Sequence, residues 1–268
     1  MAVTRRGYIF GAFVSGVTGV LFIVVALASD SWVVSTLRVP SQQAASNIRY
    51  GLFGGELTLR EMATPQMHPL HMTCAVDVNA CAVSCKTERE SRLVEVRALA
   101  NGYRPTAACG GTTEVDTSNP LDTTPVISFA FYVILTTLLV IDLVLGVAAA
   151  GLAILNATKN PTEPVFGLPG CLWTNVAAAL VGITVMLMFG IYWLTSGLNE
   201  HLAISYIALG LFTPEAGLGF SYWLLLGACL CFIANVVLIQ TRAYFLERDP
   251  THSFINIHES SDTTVGIY

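Results

Sequence analysis

Four cysteines lie close together in one stretch of the chain, and their thiols admit two kinds of chemistry. An even set of cysteines in an oxidising compartment predicts two disulfides, with three possible connectivities between which the sequence does not choose. A zinc site is the alternative, but the stretch has no Cys-x-x-Cys pair and offers only the imidazoles of His68 and His71 nearby. We therefore favour disulfides among Cys74, Cys81, Cys85 and Cys109.

One ionisable side chain, that of Asp142, lies within long apolar sequence. An ionisable residue inside a membrane span is a candidate functional group by default. Asn235, in the last apolar stretch, is expected at a similar depth. A hydrogen bond between these two side chains, or from Asp142 to Ser15 or Thr18, is the favoured interpretation. Ion or proton transport is the alternative, but a transporter usually contains several such groups and broken helices.

The usual catalytic motifs do not occur in the chain: there is no Gly-x-Ser-x-Gly, His-Glu-x-x-His, Walker sequence or Gly-rich dinucleotide loop. The five histidines are scattered, with no acid or nucleophile at a suitable spacing. The net charge of −5 argues against a nucleic-acid partner. We expect a protein that is not an enzyme and that binds neither metal nor cofactor.

Four long apolar stretches must position these groups. Each has the roughly 20 apolar residues needed to cross about 30 Å of hydrocarbon. The composition agrees, since the chain is 54% hydrophobic and 12% charged, with a mean hydropathy of +0.64. These values predict an α-helical membrane protein with a left-handed bundle of four transmembrane helices. The predicted spans are residues 8–29, 126–155, 172–195 and 218–240.

Basic residues next to the spans predict the orientation. Arg5 and Arg6 precede the first span, Lys159 follows the second, and Arg242 follows the fourth, whereas the loop between the third and fourth spans has no Lys or Arg. This bias predicts that both termini lie in the cytoplasm. We expect the membrane that the protein spans to be the plasma membrane. The remaining segments are then an N-terminus (1–7), a large extracellular loop (30–125), a cytoplasmic loop (156–171), a short extracellular loop (196–217) and a cytoplasmic tail (241–268).

Small residues recur every four positions in the first apolar stretch, at Gly7, Gly11, Ser15 and Gly19. Residues at this spacing lie along one helix face, and small residues let two helices approach closely in lipid. We therefore predict that this face packs against another span. The alternative is a cleaved signal peptide, because residues 26–28 resemble a cleavage site.

The first loop carries its own pattern of elements. Residues 32–39, 48–54 and 72–78 resemble strands, and residues 203–212 of the short loop could add another. Residues 88–100 place apolar side chains on one face, which predicts an amphipathic helix. We expect a small sheet with a helix on it, pinned by disulfides above the bundle.

A tryptophan just outside the first span and a Gly-Leu-aromatic motif resemble the claudin and peripheral-myelin-protein superfamily. The claudin pattern has Trp after Gly-Leu, where this chain has Phe53, and Cys74 lies further downstream than in that pattern. The run around this position is instead similar to the Tyr-Gly-Leu-Phe-x-Gly-Glu motif of clarins. The residues that carry the resemblance are Trp32, Tyr50, Gly51, Leu52, Phe53, Gly55 and Glu56.

The resemblance implies a claudin-like fold and a non-enzymatic four-span protein associated with sensory cells. We assign the motif a structural role, with Phe53 packed under the sheet near Trp32, and with Glu56 as the residue that could touch a partner. At the other end of the chain, an apolar terminus could bind a PDZ domain of a cytoplasmic scaffold. It comprises Val265, Gly266, Ile267 and Tyr268.

Two classes of function are therefore predicted. The first is a clarin-like organiser or adaptor that binds other membrane proteins and the cytoskeleton. The second is a claudin-like adhesion or barrier protein, or an auxiliary subunit of an ion channel. In either class the partners are other membrane proteins and membrane lipid.

Overall fold

Among the residues that a computed structural model describes, five α-helices account for more than half. The structure describes residues 2–38, 46–59, 65–106, 109–110, 113–118, 120–121, 124–159, 163, 165–198 and 213–247. The helices are α1 (Ala2–Ala28), α2 (Arg89–Ala100), α3 (Phe129–Thr158), α4 (Leu168–Thr195) and α5 (Phe220–Glu247).

All of the helices except α2 are long and apolar enough to cross a membrane, as the hydropathy of the sequence predicts. The chain thus fits a four-span integral membrane protein. The helix ends differ from the predicted spans, because α3 begins only after a short strand and α4 begins at Leu168, four residues before the third predicted span. Helix α5 runs on to Glu247, into the predicted tail. The terminal residues 265–268 lie outside the described residues.

The chain forms two compact units, and each long helix contributes to both. We call the first the sheet unit, which comprises Leu21–Leu143 and Leu180–Ala228. The second, the terminal unit, comprises Met1–Val20, Val144–Ala179 and Cys229–Tyr268.

A seven-stranded antiparallel sheet dominates the sheet unit, in the order β8-β5-β4-β3-β2-β1-β9. A separate two-stranded sheet pairs β6 (Arg104–Pro105) with β7 (Val115–Asp116). The strands of the large sheet are β1 (Val33–Arg38), β2 (Ser46–Tyr50), β3 (Gly54–Leu59), β4 (Gln66–Ala75), β5 (Ala80–Ser84), β8 (Ile127–Ser128) and β9 (Thr213–Leu218).

The sheet differs from the predicted strands in two places. The single strand expected over 48–54 is a hairpin, because β2 ends at Tyr50 and β3 begins at Gly54. The strand expected over 72–78 ends at Ala75, where a short 3₁₀ turn follows. The strand expected over 203–212 lies outside the described residues, and β9 follows that segment.

Helix α2 packs on the sheet through a small core of its own. Val96 and Leu99 are fully buried against the alanines of β4 and β5, which are Ala75, Ala80 and Ala82. The predicted amphipathic helix is therefore present, and its apolar face is the buried one. Because the facing side chains are alanines, the helix lies close to the strands.

Two disulfides cross-link the region around α2, β4 and β5. Cys74 bonds to Cys81 between the paired strands β4 and β5, and Cys85 bonds to Cys109 across the segment that contains α2. The three remaining cysteines, Cys171, Cys229 and Cys231, lie in the long helices and take no part in these disulfides. The structure therefore supplies the connectivity that the sequence left open.

The terminal unit is held together by close helix contacts. Ala12 of α1 and Ile239 of α5 share a buried cluster with Ala153 and Cys171. Ser15 Oγ donates a hydrogen bond of 3.1 Å to the carbonyl of Cys231 in α5. A Cβ built on Gly19 would lie 3.3 Å from atoms of Cys231 and Phe232, and one on Gly11 would lie 3.7 Å from Leu238.

The predicted stripe of small residues is therefore used unevenly. Gly11, Ser15 and Gly19 each meet α5, but a Cβ on Gly7 would meet nothing within 4 Å. The stripe faces a neighbour over its last three members, and its first member lies in open space.

We expect the two disulfides to differ in their contribution to stability. The chain-entropy argument predicts about 3.5 kcal/mol for Cys85–Cys109, which spans 24 residues, and about 2 kcal/mol for Cys74–Cys81, which spans 7. Replacing the first pair by alanines should lower the thermal unfolding temperature in detergent more than replacing the second. Cys231→Ala, which removes a free thiol, is the control. Non-reducing peptide mapping that linked Cys74 to Cys85 or Cys109 would contradict the pairing.

The second expectation concerns α1. Gly19→Leu should drive α1 and α5 apart, because a side chain there collides with Phe232, whereas Gly7→Leu should be tolerated. Surface biotinylation and melting temperature in detergent measure the effect, and we expect a loss of roughly 1–3 kcal/mol for Gly19→Leu. Equal behaviour of the two variants would show that the stripe reflects composition only.

Candidate functional site

Trp32 is buried in the sheet unit, four residues after Ala28, the last residue of α1. Its indole is 1% exposed, and Nε1 donates a 2.6 Å hydrogen bond to the carbonyl of Ala26. The ring meets Phe189 of α4 edge-on at a centroid distance of 5.1 Å, and Tyr222 of α5 at 6.5 Å. One side chain therefore bonds the end of α1 and packs on two further spans.

The backbone beside Trp32 links the same elements. Its amide donates to the carbonyl of Tyr50 at 3.0 Å, and its carbonyl accepts from Gly219 at 2.8 Å. The hydroxyl oxygens of Ser29 and Ser221 are 2.6 Å apart, and the Ser221 amide donates to the carbonyl of Ser31. The end of α1, strand β2 and the start of α5 thus meet in one buried hydrogen-bonded cluster.

Two glycines of the clarin-like motif are required by close backbone approach. A Cβ on Gly51 would lie 2.2 Å from the carbonyl oxygen of Ser29, and one on Gly55 would lie 2.3 Å from that of Arg49. Contacts this short with backbone atoms leave no room for any side chain. Gly51 therefore allows the β2–β3 turn to touch the end of α1.

Leu52 and Phe53, which lie between these two glycines, differ in burial. Leu52 is 4% exposed and its carbonyl accepts a 3.0 Å hydrogen bond from the hydroxyl of Tyr132 in α3. Phe53 is 59% exposed, so the prediction that it packs under the sheet near Trp32 is wrong. The turn reverses direction between these two residues, and only one of the two side chains can enter the core.

The ends of the motif are both engaged within the sheet. Tyr50 is 2% exposed, its hydroxyl has no hydrogen-bond partner among the described residues, and burial raises the pKa of its hydroxyl well above the usual value. Glu56 forms a 2.6 Å salt bridge with Arg49 on the neighbouring strand. Glu56, proposed from the sequence as a partner contact, is thus already paired within the sheet.

A small apolar cavity lies beside the indole of Trp32. Its volume is about 20 Å³, and Tyr50, Leu52, Phe131 and Phe189 are among the residues that line it. Such a volume holds about one water molecule, so this cavity is too small for a substrate. The cluster around Trp32 is therefore a joint between the sheet and the spans.

An open groove of about 720 Å³ lies in the terminal unit, between the C-terminal part of α3 and the N-terminal part of α4. Its walls include Gly151, Phe166 and Trp173, and the two aromatic side chains are at least half exposed. Apart from Thr174, the described residues that line it are apolar or aromatic.

A buried polar cluster that the sequence analysis did not single out fixes α2 to the sheet. Ser84 donates a short hydrogen bond to the carboxylate of Glu95, and both residues are at most 2% exposed. Lys86 is also buried, and its charge acts on Glu95. Desolvation raises the pKa of Glu95 from its ordinary 4.5, while the bond from Ser84 and the charge of Lys86 oppose that rise.

The polar side chains inside the spans are arranged differently from the prediction. In the terminal unit, Asn235 donates a 2.9 Å hydrogen bond to Asn175, which in turn donates to the carbonyl of Cys171. In the sheet unit, Asp142 is 1% exposed and its Oδ1 has no hydrogen-bond partner among the described residues. The expected bond between Asp142 and Asn235 is therefore replaced by an amide pair between α4 and α5.

Histidine, cysteine and acidic side chains form no group of three or more that could hold a metal ion within the part of the chain that the structure describes. No family model matches the chain, and no curated protein matches it either.

We expect the joint to be intolerant of bulk at Gly51. Gly51→Ala should prevent folding and surface delivery, because its methyl group would overlap the carbonyl oxygen of Ser29. Gly217→Ala, at a strand glycine with open space around it, is the matched control and should be delivered normally. Normal delivery of Gly51→Ala would contradict the close approach of Gly51 to the backbone of Ser29.

Trp32→Phe should lower the free energy of unfolding by roughly 1–3 kcal/mol, because the carbonyl of Ala26 loses the hydrogen bond from the indole and the smaller ring leaves space in the core.

Glu95 predicts a pH dependence with a definite sign. Because its pKa is raised in the folded protein, folding favours the protonated acid, and the free energy of unfolding should fall as pH rises from about 4.5 through the folded pKa. Glu95→Gln keeps the acceptor for Ser84 and should remove this component, while Glu95→Leu leaves Ser84 unpaired and should lose about 1–3 kcal/mol. Thermal unfolding measured from about pH 4 to about pH 7 reports both effects.

Proposed function

We propose that the protein is a non-enzymatic, clarin-like organiser of the plasma membrane that binds other membrane proteins in sensory cells. In this proposal both termini lie in the cytoplasm, the sheet lies outside the cell, and the tail binds a cytoskeletal scaffold. The fold is then claudin-like in the broad sense of four spans below an antiparallel sheet.

One observation carries the proposal. The residues that resemble the clarin motif form, together with Trp32, a single joint between the sheet and four spans, through the contacts of Gly51, Leu52 and Trp32. A sheet held in this way keeps a constant orientation to the membrane. Constant orientation favours a protein that presents a surface to neighbours in the same membrane.

The sheet unit also offers exposed apolar side chains at which a partner could bind. Met67 on β4 and Val76 in the 3₁₀ turn are each 66% exposed. The two positions stand near opposite ends of β4, so each tests a different part of the surface of the sheet. We use these two positions to test whether the sheet recruits partners.

Affinity purification in mild detergent from native tissue, followed by mass spectrometry, tests the proposal. We expect membrane and cytoskeletal proteins to be recovered with the wild type, and fewer of them with Met67→Glu and Val76→Glu. Val144→Leu, at a 62% exposed position in α3, is the control and should recover the same set. Recovery of no membrane protein above an unrelated four-span protein would contradict the proposal.

The same experiment separates the second class of function. A channel core subunit as the main partner would make the protein an auxiliary subunit. Continuous strands between transfected cells, seen by freeze-fracture electron microscopy, would make it a claudin-like adhesion or barrier protein. Either outcome would favour that function over the proposed role as a membrane organiser.

Asp142 gives one observation in favour of transport, because its Oδ1 is buried without a partner among the described residues. We nevertheless assign it a structural role. Asp142→Asn should leave delivery nearly intact, and Asp142→Leu should harm assembly modestly, by less than about 2 kcal/mol. A proton flux into liposomes that Asp142→Asn abolishes would overturn this assignment.

A further inference from the structure

The turn between β2 and β3 presents an exposed aromatic side chain on a fixed backbone. Phe53 is 59% exposed, although Gly51 and Leu52 before it are buried. The amide of Gly51 donates to the carbonyl of Gly54 at 2.7 Å, and the carbonyl of Phe53 accepts from Met72 at 3.0 Å. The backbone is thus held on both sides of Phe53, and its ring projects from a turn that cannot easily fold back.

The turn lies at the level where the apolar spans end. Gly51 touches the carbonyl of Ser29, the residue that follows α1, and the exposed Asp30 comes next. Leu52 is bonded by Tyr132, which lies three residues into α3, or roughly 4.5 Å along a helix that rises 1.5 Å per residue. These contacts put Phe53 at the boundary between hydrocarbon and lipid headgroups.

The β2–β3 hairpin is apolar at its tip and becomes charged further along its strands. Residues 51–55 at its tip carry no charge, and the first charged pair, Arg49 and Glu56, lies just beyond them. An ion pair followed by an aromatic tip matches the change from headgroups to acyl chains across a bilayer interface.

The lipid-exposed surface of the spans continues to this point. Phe220 and Trp223 stand at the first turn of α5 and are each 55% exposed. The start of α5 is bonded to the residues that follow α1, through Gly219 and Ser221, so it lies at the same level as the hairpin tip. Aromatic side chains concentrate at this depth in membrane proteins because their rings suit the interface.

We propose that the tip of the β2–β3 hairpin inserts the Phe53 ring into the interfacial layer of the bilayer. The sheet then rests on lipid at this point as well as on the ends of the spans. The partner of this surface is a phospholipid leaflet.

Photocrosslinking in phosphatidylcholine nanodiscs tests the proposal. p-Benzoylphenylalanine is incorporated into the full chain at position 53, at position 223 as a lipid-exposed reference, and at position 67 as an equally exposed site on β4. Met67 pairs with Thr58, away from the hairpin tip. After irradiation, peptide mass spectrometry should detect phospholipid adducts at positions 53 and 223 and none above background at position 67.

Adducts at 223 without any at 53, or a crosslink from 53 to a second copy of the chain, would overturn the proposal. Thermal unfolding in the nanodiscs provides an independent measurement. Phe53→Trp should unfold at the wild-type temperature, and Phe53→Asp should unfold at a lower one, whereas Met67→Asp should not change it. Equal shifts for Phe53→Asp and Met67→Asp would also overturn the proposal.

Discussion

The end of an apolar helix leaves backbone carbonyls that must find donors where water is scarce, and the sheet unit is built around this requirement at α1. At the end of α1, the carbonyl of Ala26 accepts from the indole of Trp32 at 2.6 Å and from the hydroxyl of Ser29 at 3.4 Å. Three residues beyond the helix, the carbonyl of Ser31 accepts from the amide of Ser221 at the start of α5. The end of α1 is therefore completed by the residues that follow it, and those residues are in turn bonded to α5. The same crowding excludes a side chain at Gly219, whose Cβ would lie 1.9 Å from the carbonyl oxygen of Ser31.

Glycines also allow close contacts in the terminal unit. There the atoms that approach the glycine belong to a side chain and not to the backbone. Phe232 of α5 is fully buried, and Cβ atoms on Gly19 and Gly146 would lie 3.3 and 2.9 Å from its ring. In lipid, helices gain nothing from hiding apolar surface, so dispersion contacts of this kind and the Asn175–Asn235 bond must supply the association. The ring of Phe232 thus fills the space that two glycines leave open, beside the buried cluster around Ala12 and Ile239.

The spans could be predicted from the sequence because their length and lack of charge follow from the thickness of the hydrocarbon layer, which is independent of the rest of the fold. Helix α2 could be predicted from its apolar period. The pairing of β1 with β9 could not, because it joins two loops far apart in the chain. The predicted burial of Phe53 was wrong, since alternation does not state which side of a turn faces the core. The pairing of the cysteines and the Asn175 partner of Asn235 likewise depend on tertiary contacts.

Strand β1 leaves the end of α1 and strand β9 leads into α5, and the two run antiparallel side by side. Both strands are consequently anchored at the same end, close to the membrane. A pulling force on the sheet directed away from the membrane would load the two strands in parallel and would not slide one past the other. Tension would then reach α1 and α5 together, and the hydrogen bonds between β1 and β9 would carry little shear.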